Sequence, residues 1–184
     1  MKRTVWTFGL ISGAVLSFLM AVTIPFSHSL GDDTSYVIGY TTMVLSFLLI
    51  HFGIRAYRDN VGGGSVSFGR ALSIGALITV VASLCYVTTW EVIYFKVQPD
   101  FATRMTADAI EKAKRGGGTP EEIQRRTAGA QRMMELYQNP LINSAMTFIE
   151  PLPVGLIIAF VSAAVLRRRR GTATEGDLAP SSAL

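Results

Sequence analysis

Two carboxylates, Glu91 and Glu150, are the only formal charges inside four long apolar stretches, 5–26, 37–54, 71–94 and 141–166. A charged side chain at mid-membrane costs roughly 2.5–3.5 kcal/mol on insertion scales, so such groups face a bundle interior or water. Glu91 lies near the end of its stretch, and Glu150 lies nine residues into its own, measured from the same side of the membrane. If the two met, mutual repulsion would raise one pKa and let the pair hold a proton, as small-solute or proton-coupled passage requires. A structural reading stays open beside it. Lys96 or Arg104 is placed to pair with Glu91, and Glu150 precedes Pro151, with Pro153 following, so its carboxylate can satisfy backbone groups freed at a kink.

Other reactive residue types are scattered. His28 and His51 fall at opposite ends of the first two stretches, too far apart to share a metal or haem. Cys85 is the only cysteine, which excludes an intrachain disulfide and a cysteine metal cluster. Gly62, Gly63 and Gly64 suggest a phosphate loop, but such a loop needs Gly-Lys-Ser/Thr after a strand, and this stretch has neither. A flexible turn closed by Ser67 as helix cap explains it more simply. No nucleophile stands at a readable spacing from a base. The sequence therefore predicts no catalytic residue, no metal, no cofactor and a non-enzymatic role.

The elements around these residues follow from hydropathy. The chain has 184 residues, 49% of them hydrophobic and 16% charged. Each apolar stretch is long enough to cross a hydrocarbon core of about 30 Å at about 1.5 Å per helical residue. The expected fold is all-α: a polytopic four-transmembrane-helix bundle with an external helical hairpin, 96–140, between helices 3 and 4. Residues 1–170 form one integral membrane domain and 171–184 a disordered tail, small, polar and with little apolar content to bury. The first stretch is too long for a cleavable signal and reads as a retained helix. Small residues recur at four-residue intervals, Gly9 with Gly13, then Gly75, then Gly155. They let membrane helices approach closely within the chain, although Gly9 and Gly13 also suit a homodimer. Trp6, Tyr36, Tyr86, Trp90 and Tyr94 read as belt residues at helix ends.

The net charge of +4 reads as topology rather than as nucleic-acid binding, because Lys2, Arg3, Arg55, Arg58, Arg70 and Arg167 to Arg170 flank apolar stretches on one side. The first opposite loop, Ser27 to Ser35, carries Asp32 and Asp33 and no Lys or Arg, which places both termini in the cytoplasm. The hairpin reads as a helix from Asp100 to Arg115, a break at Gly116 to Gly118, and a second helix that starts at Thr119-Pro120-Glu121-Glu122. This second helix runs to about Gln138, with a seam of Ile123, Thr127, Ala130, Met134 and Tyr137. The seam serves hairpin pairing or a protein partner, and association with envelope partners is the role expected for residues 100–138. The bilayer is the other partner.

Particular residues also carry a resemblance. Gly39-Tyr40, Gly53-Ile54-Arg55, Tyr57-Arg58-Asp59-Asn60, Phe68 with Ala71 and Gly75, and Tyr86 with Thr89-Trp90 form its first part. Pro99-Asp100-Phe101, Asn139-Pro140 and Phe148-Ile149-Glu150-Pro151-Leu152-Pro153-Val154-Gly155 complete it. As a set they resemble the bacterial membrane family catalogued as domain of unknown function 4199, from near the N-terminus to about Arg170. The resemblance implies a four-helix integral membrane protein of a bacterial envelope with no assigned reaction, and the expected location is the inner membrane.

Overall fold

Lipid offers the backbone no hydrogen-bond partner, so an apolar run that crosses it closes its own bonds as helix. The computed structural model describes residues 1–24 and 32–167. Among the described residues eight elements form, all helical: α1 (Lys2–Thr23), α2 (Asp32–Asn60), α3 (Phe68–Val92), a π turn (Ile93–Val97), α4 (Phe101–Arg115), α5 (Pro120–Tyr137), α6 (Pro140–Ile149) and α7 (Leu152–Leu166). Four segments are long and apolar enough to cross a membrane: Lys2–Thr23, Thr34–Asn60, Phe68–Val97 and Pro140–Leu166. This is a multi-pass membrane protein. The helix ends extend beyond the apolar stretches because polar residues near a span end continue the helix into the headgroup region. His28, most of the loop between the first two spans, Arg168 to Arg170 and the tail 171–184 lie outside the described residues.

α3 is the hub of the bundle. It packs most extensively on α1 and α7, and α2 closes the ring by packing on the same two. Phe47, Ile50, Ile54, Ile74, Ile78, Ala82 and Ala159 are fully buried between them, while Phe18, Leu45, Phe52, Leu84, Ile157 and Val165 face outward. Apolar residues on both faces suit a helix solvated by lipid, where close backbone approach drives association. The glycines supply that approach. A Cβ on Gly9 would lie 2.7 Å from Val81, one on Gly13 2.7 Å from Cys85, one on Gly75 2.6 Å from Ala159, and one on Gly155 2.3 Å from Thr79. Gly9 and Gly13 thus face α3 of the same chain. The Ser12 hydroxyl donates to the Ser46 carbonyl at 2.8 Å and ties α1 to α2 without leaving a polar group in lipid.

The hairpin opposite the termini follows the sequence closely. Thr119 caps α5 in a reciprocal box: its hydroxyl accepts from the Glu122 amide at 3.3 Å, and its own amide donates to the Glu122 carboxylate at 3.2 Å. Gly117 and Gly118, at φ +66° and +128°, take the turn conformation that side chains disfavour. Ile123, Thr127, Ala130, Met134 and Tyr137 are each half-buried while the rest of α5, the cap residue Glu122 apart, is exposed, so the seam turns toward α4. One cap differs from expectation. Ser67 holds the N-cap position of α3, but its hydroxyl makes no capping bond there. Its extended backbone, at ψ 151°, marks the boundary instead.

Candidate functional site

At the hairpin end the helices surround a cavity of about 360 Å³, lined by residues of α1 to α6. α1 contributes Leu16, Met20 and Thr23, and α2 contributes Tyr36, Gly39 and Met43. α3 adds Tyr86 and Trp90 one turn apart, and α6 adds Thr147 just before Glu150. The hairpin covers this space with Phe101, Met105, Asp108 and Lys112 from α4 and Tyr137 from α5. These positions recur at three- and four-residue steps, the spacing that puts side chains on one helix face.

Glu150 marks the deep end. It stands ten residues past Pro140, about 15 Å along the axis at about 1.5 Å per residue. The chain breaks there: α6 ends at Ile149, Pro151 cannot donate, and α7 begins at Leu152. The Glu150 carboxylate accepts from the Tyr86 hydroxyl at 3.3 Å and keeps an exposed surface, whereas Tyr86 is buried. Of the two partners foreseen for Glu150, backbone at the kink or Glu91, neither is the one bonded. Below this level Leu16, Phe47, Ile50, Ile78 and Ala82 are packed to 1% exposure or less, so among the described residues the cavity is closed toward the termini.

Glu91 has a separate environment. It accepts from the Ser144 hydroxyl at 2.7 Å, is half-buried, and lies outside the cavity lining. Arg104, foreseen as its partner, sits 3.8 Å from Asp100 instead. Five residues separate Tyr86 from Glu91 on α3, and six separate Ser144 from Glu150 across α6, so both helices present the two carboxylates on different faces. Each carboxylate therefore has its own hydroxyl partner.

Asn143 organises the wall, and nothing in the sequence reading singled it out. Fully buried, it accepts from the Trp90 indole at 2.8 Å and from the Thr147 hydroxyl at 3.3 Å, and donates to the Tyr137 carbonyl at 3.1 Å. One amide thus joins α3, α5 and α6. Its only sequence signal is an amide two residues into an apolar run. Rings complete the roof: Phe101 meets Trp90 edge-on at 5.2 Å and Tyr94 at 5.9 Å, and Tyr94 meets Tyr137 at 6.5 Å. Tyr86 and Tyr94 are buried at 8% and 5% exposure and Trp90 is half-buried, so these three are not belt residues. Trp6 and Tyr36 remain exposed at the ends of their helices. Burial holds the Tyr137 phenol above its ordinary range, reinforced by the Glu150 carboxylate and by Tyr94, so it is a neutral donor at physiological pH.

A family model described as protein of unknown function DUF4199 matches residues 7–168. The chain belongs to that family. No curated protein and no solved structure matches. The DUF4199 match takes in both carboxylates, the Asn143 node, the whole cavity lining and the hairpin above it. Among the described residues no group of three or more His, Cys, Asp or Glu side chains gathers as a metal site, and His51 packs edge-on to Phe52 at 5.9 Å.

Proposed function

We propose that this protein is a non-enzymatic, solute-binding protein of the bacterial inner membrane. Its termini and the α2–α3 loop are cytoplasmic, and a small amphipathic molecule enters from the outer side into the cavity beneath the hairpin. The observation that carries this reading is the blind cavity itself: about 360 Å³, within the range of roughly 300–1,000 Å³ for small-molecule sites, mostly apolar, with a few convergent polar groups. Its polar members, Glu150 with the Tyr86 hydroxyl on it, the Tyr137 phenol and the Trp90 ring, serve in this reading to bind and orient. Closure toward the termini favours binding over continuous passage, and Glu91, outside the lining, has no part in it.

The test exploits Gly39. It lines the cavity, and a Cβ built on it meets nothing within 4 Å, so the side chain of Gly39→Leu starts in open space and takes up cavity volume. With Trp6→Phe leaving Trp90 as the sole tryptophan, small aromatic solutes are titrated against the protein in phosphatidylcholine nanodiscs. At least one solute should change Trp90 emission saturably, and Gly39→Leu should abolish the change. Solute responses indifferent to Gly39→Leu would end this reading.

A second reading, association with an envelope protein, rests on Met133 and Leu136, each 44% exposed on the outward side of α5. The seam expected to bind such a partner is turned toward α4, so this reading moves to the opposite face of the hairpin. Crosslinking from Met133, compared with crosslinking from Met134 on the seam, separates the two faces.

A further inference from the structure

This inference rests on the solute-binding reading above and names the class of solute. We propose that the ligand is an organic cation, its ammonium group lodged against Glu150 among the rings of Tyr86, Trp90 and Tyr137, and its apolar body lying along Leu16, Met20 and Met43. Three observations carry it. First, among the described residues the only formal charge at the deep end is the Glu150 carboxylate, which has one hydrogen bond there, from Tyr86 to Oε2. A carboxylate has about four lone-pair sites, so an acceptor face is left toward the cavity. Second, the other charged residues of the lining are Asp108 and Lys112, one turn apart on α4 at the roof. Among the described residues the formal charges of the lining therefore sum to one negative in excess. Third, Tyr86, Trp90 and Tyr137 line the same cavity as the carboxylate, with the Tyr86 hydroxyl turned to it. Indoles and phenols within about 6 Å of a cation attract it through the ring quadrupole, by about 0.5–2 kcal/mol each, with the larger values in desolvated sites.

The alternatives fail on the same chemistry. An anion brought to the deep end would meet Glu150 with no base beside it at that depth. A neutral apolar molecule would displace water from the carboxylate and leave a charge buried without a counter-ion, a costly state. A cation with an apolar body meets both the charge and the thioether and aliphatic wall opposite it.

Benzyltrimethylammonium, its uncharged isostere neopentylbenzene, and benzenesulfonate separate these possibilities in the Trp6→Phe protein in phosphatidylcholine nanodiscs, with Trp90 emission as the readout. Benzyltrimethylammonium should bind saturably and at least tenfold more tightly than either other probe. Glu150→Gln should weaken it by at least tenfold, Glu150→Asp should restore part of the affinity, and Glu91→Gln should leave it unchanged. Equal binding of the neutral isostere or of the sulfonate, or full affinity in Glu150→Gln, overturns the assignment of a cation. If that stronger neutral or anionic binding disappears in Gly39→Leu, the solute-binding reading stands and only the class is wrong. If no probe responds to Gly39→Leu, both fall.

Discussion

At the scale of single residues, Asn143 has the most to lose. Its side chain serves Trp90, Thr147 and the Tyr137 carbonyl at once and is fully buried. Removing one partner from a buried hydrogen bond costs about 1–3 kcal/mol for each group left unpaired. Asn143→Ala should therefore lower thermal stability in detergent well beyond Trp90→Phe, which deletes a single donor. Because the two residues share one bond, the double variant should be less damaging than the sum, with a coupling of about 0.5–3 kcal/mol. Additive losses would mean that the 2.8 Å bond contributes nothing. Legibility at this scale was partial. Charge within an apolar run exposes Glu91 and Glu150, since no hydropathy pattern hides a carboxylate there. Which partner each would find was not legible, because it depends on the rotation of α3 against α6. Asn143 escaped notice for a different reason: an amide is only mildly polar on a hydropathy scale, and its weight comes from three neighbours brought in by the fold.

Element by element, the interfaces depend on where a methyl group can be placed. Gly13 and Gly39 make the comparison clean, since Gly→Ala has the same chemistry at both. At Gly13 the added Cβ would stand 2.7 Å from Cys85 and 3.2 Å from the Ala82 backbone, so α1 must move off α3. Overpacking of this kind costs about 1–3 kcal/mol. At Gly39 nothing lies within 4 Å, and replacing glycine in a helix interior gains about 0.5–1 kcal/mol. Gly13→Ala should thus lower, and Gly39→Ala maintain or raise, the unfolding midpoint followed by far-ultraviolet circular dichroism in one detergent. A lowered midpoint in Gly39→Ala would show that the cavity wall is packed after all. Element boundaries were legible wherever a local rule governs them, as the capping box at Thr119 illustrates. The π turn at Ile93–Val97 was not. It closes with the Gln98 amide on the Ile93 carbonyl at 2.8 Å and keeps Tyr94 buried against Phe101, a demand set by the hairpin and not by the residues of the turn. Ser67 shows the converse, a residue type that suits a cap and a boundary that forms without its hydroxyl.

For the molecule as a whole, the number of crossings is legible because hydropathy integrates over a full span and tolerates local error. The cavity is not, because it lies where four helices diverge and no single segment encodes the gap. Orientation stands between these cases. Nine basic residues lie at the terminal end and eight in the hairpin segment from Lys96 to Pro140, so a bare count nearly ties. Position breaks the tie: Lys2, Arg3, Arg55, Arg58, Arg70 and Arg167 sit at the very ends of spans, whereas beyond Lys96 the next hairpin base, Arg104, comes seven residues after the third span closes. Charge orients a helix mainly close to its ends, which is the ground for proposing that the terminal end is cytoplasmic. On a Cys85→Ser background, a cysteine at the exposed Gln124 of α5 should react with a membrane-impermeant maleimide on intact spheroplasts. One at Val61, 58% exposed in the α2–α3 loop, should react only after permeabilisation. The reverse pattern would turn the bundle over and make the cytoplasm the source of whatever enters beneath the hairpin. Glu150, Tyr86 and the rings around them would keep their geometry in either case, so labelling decides the side of supply while the Trp90 titrations decide the chemistry.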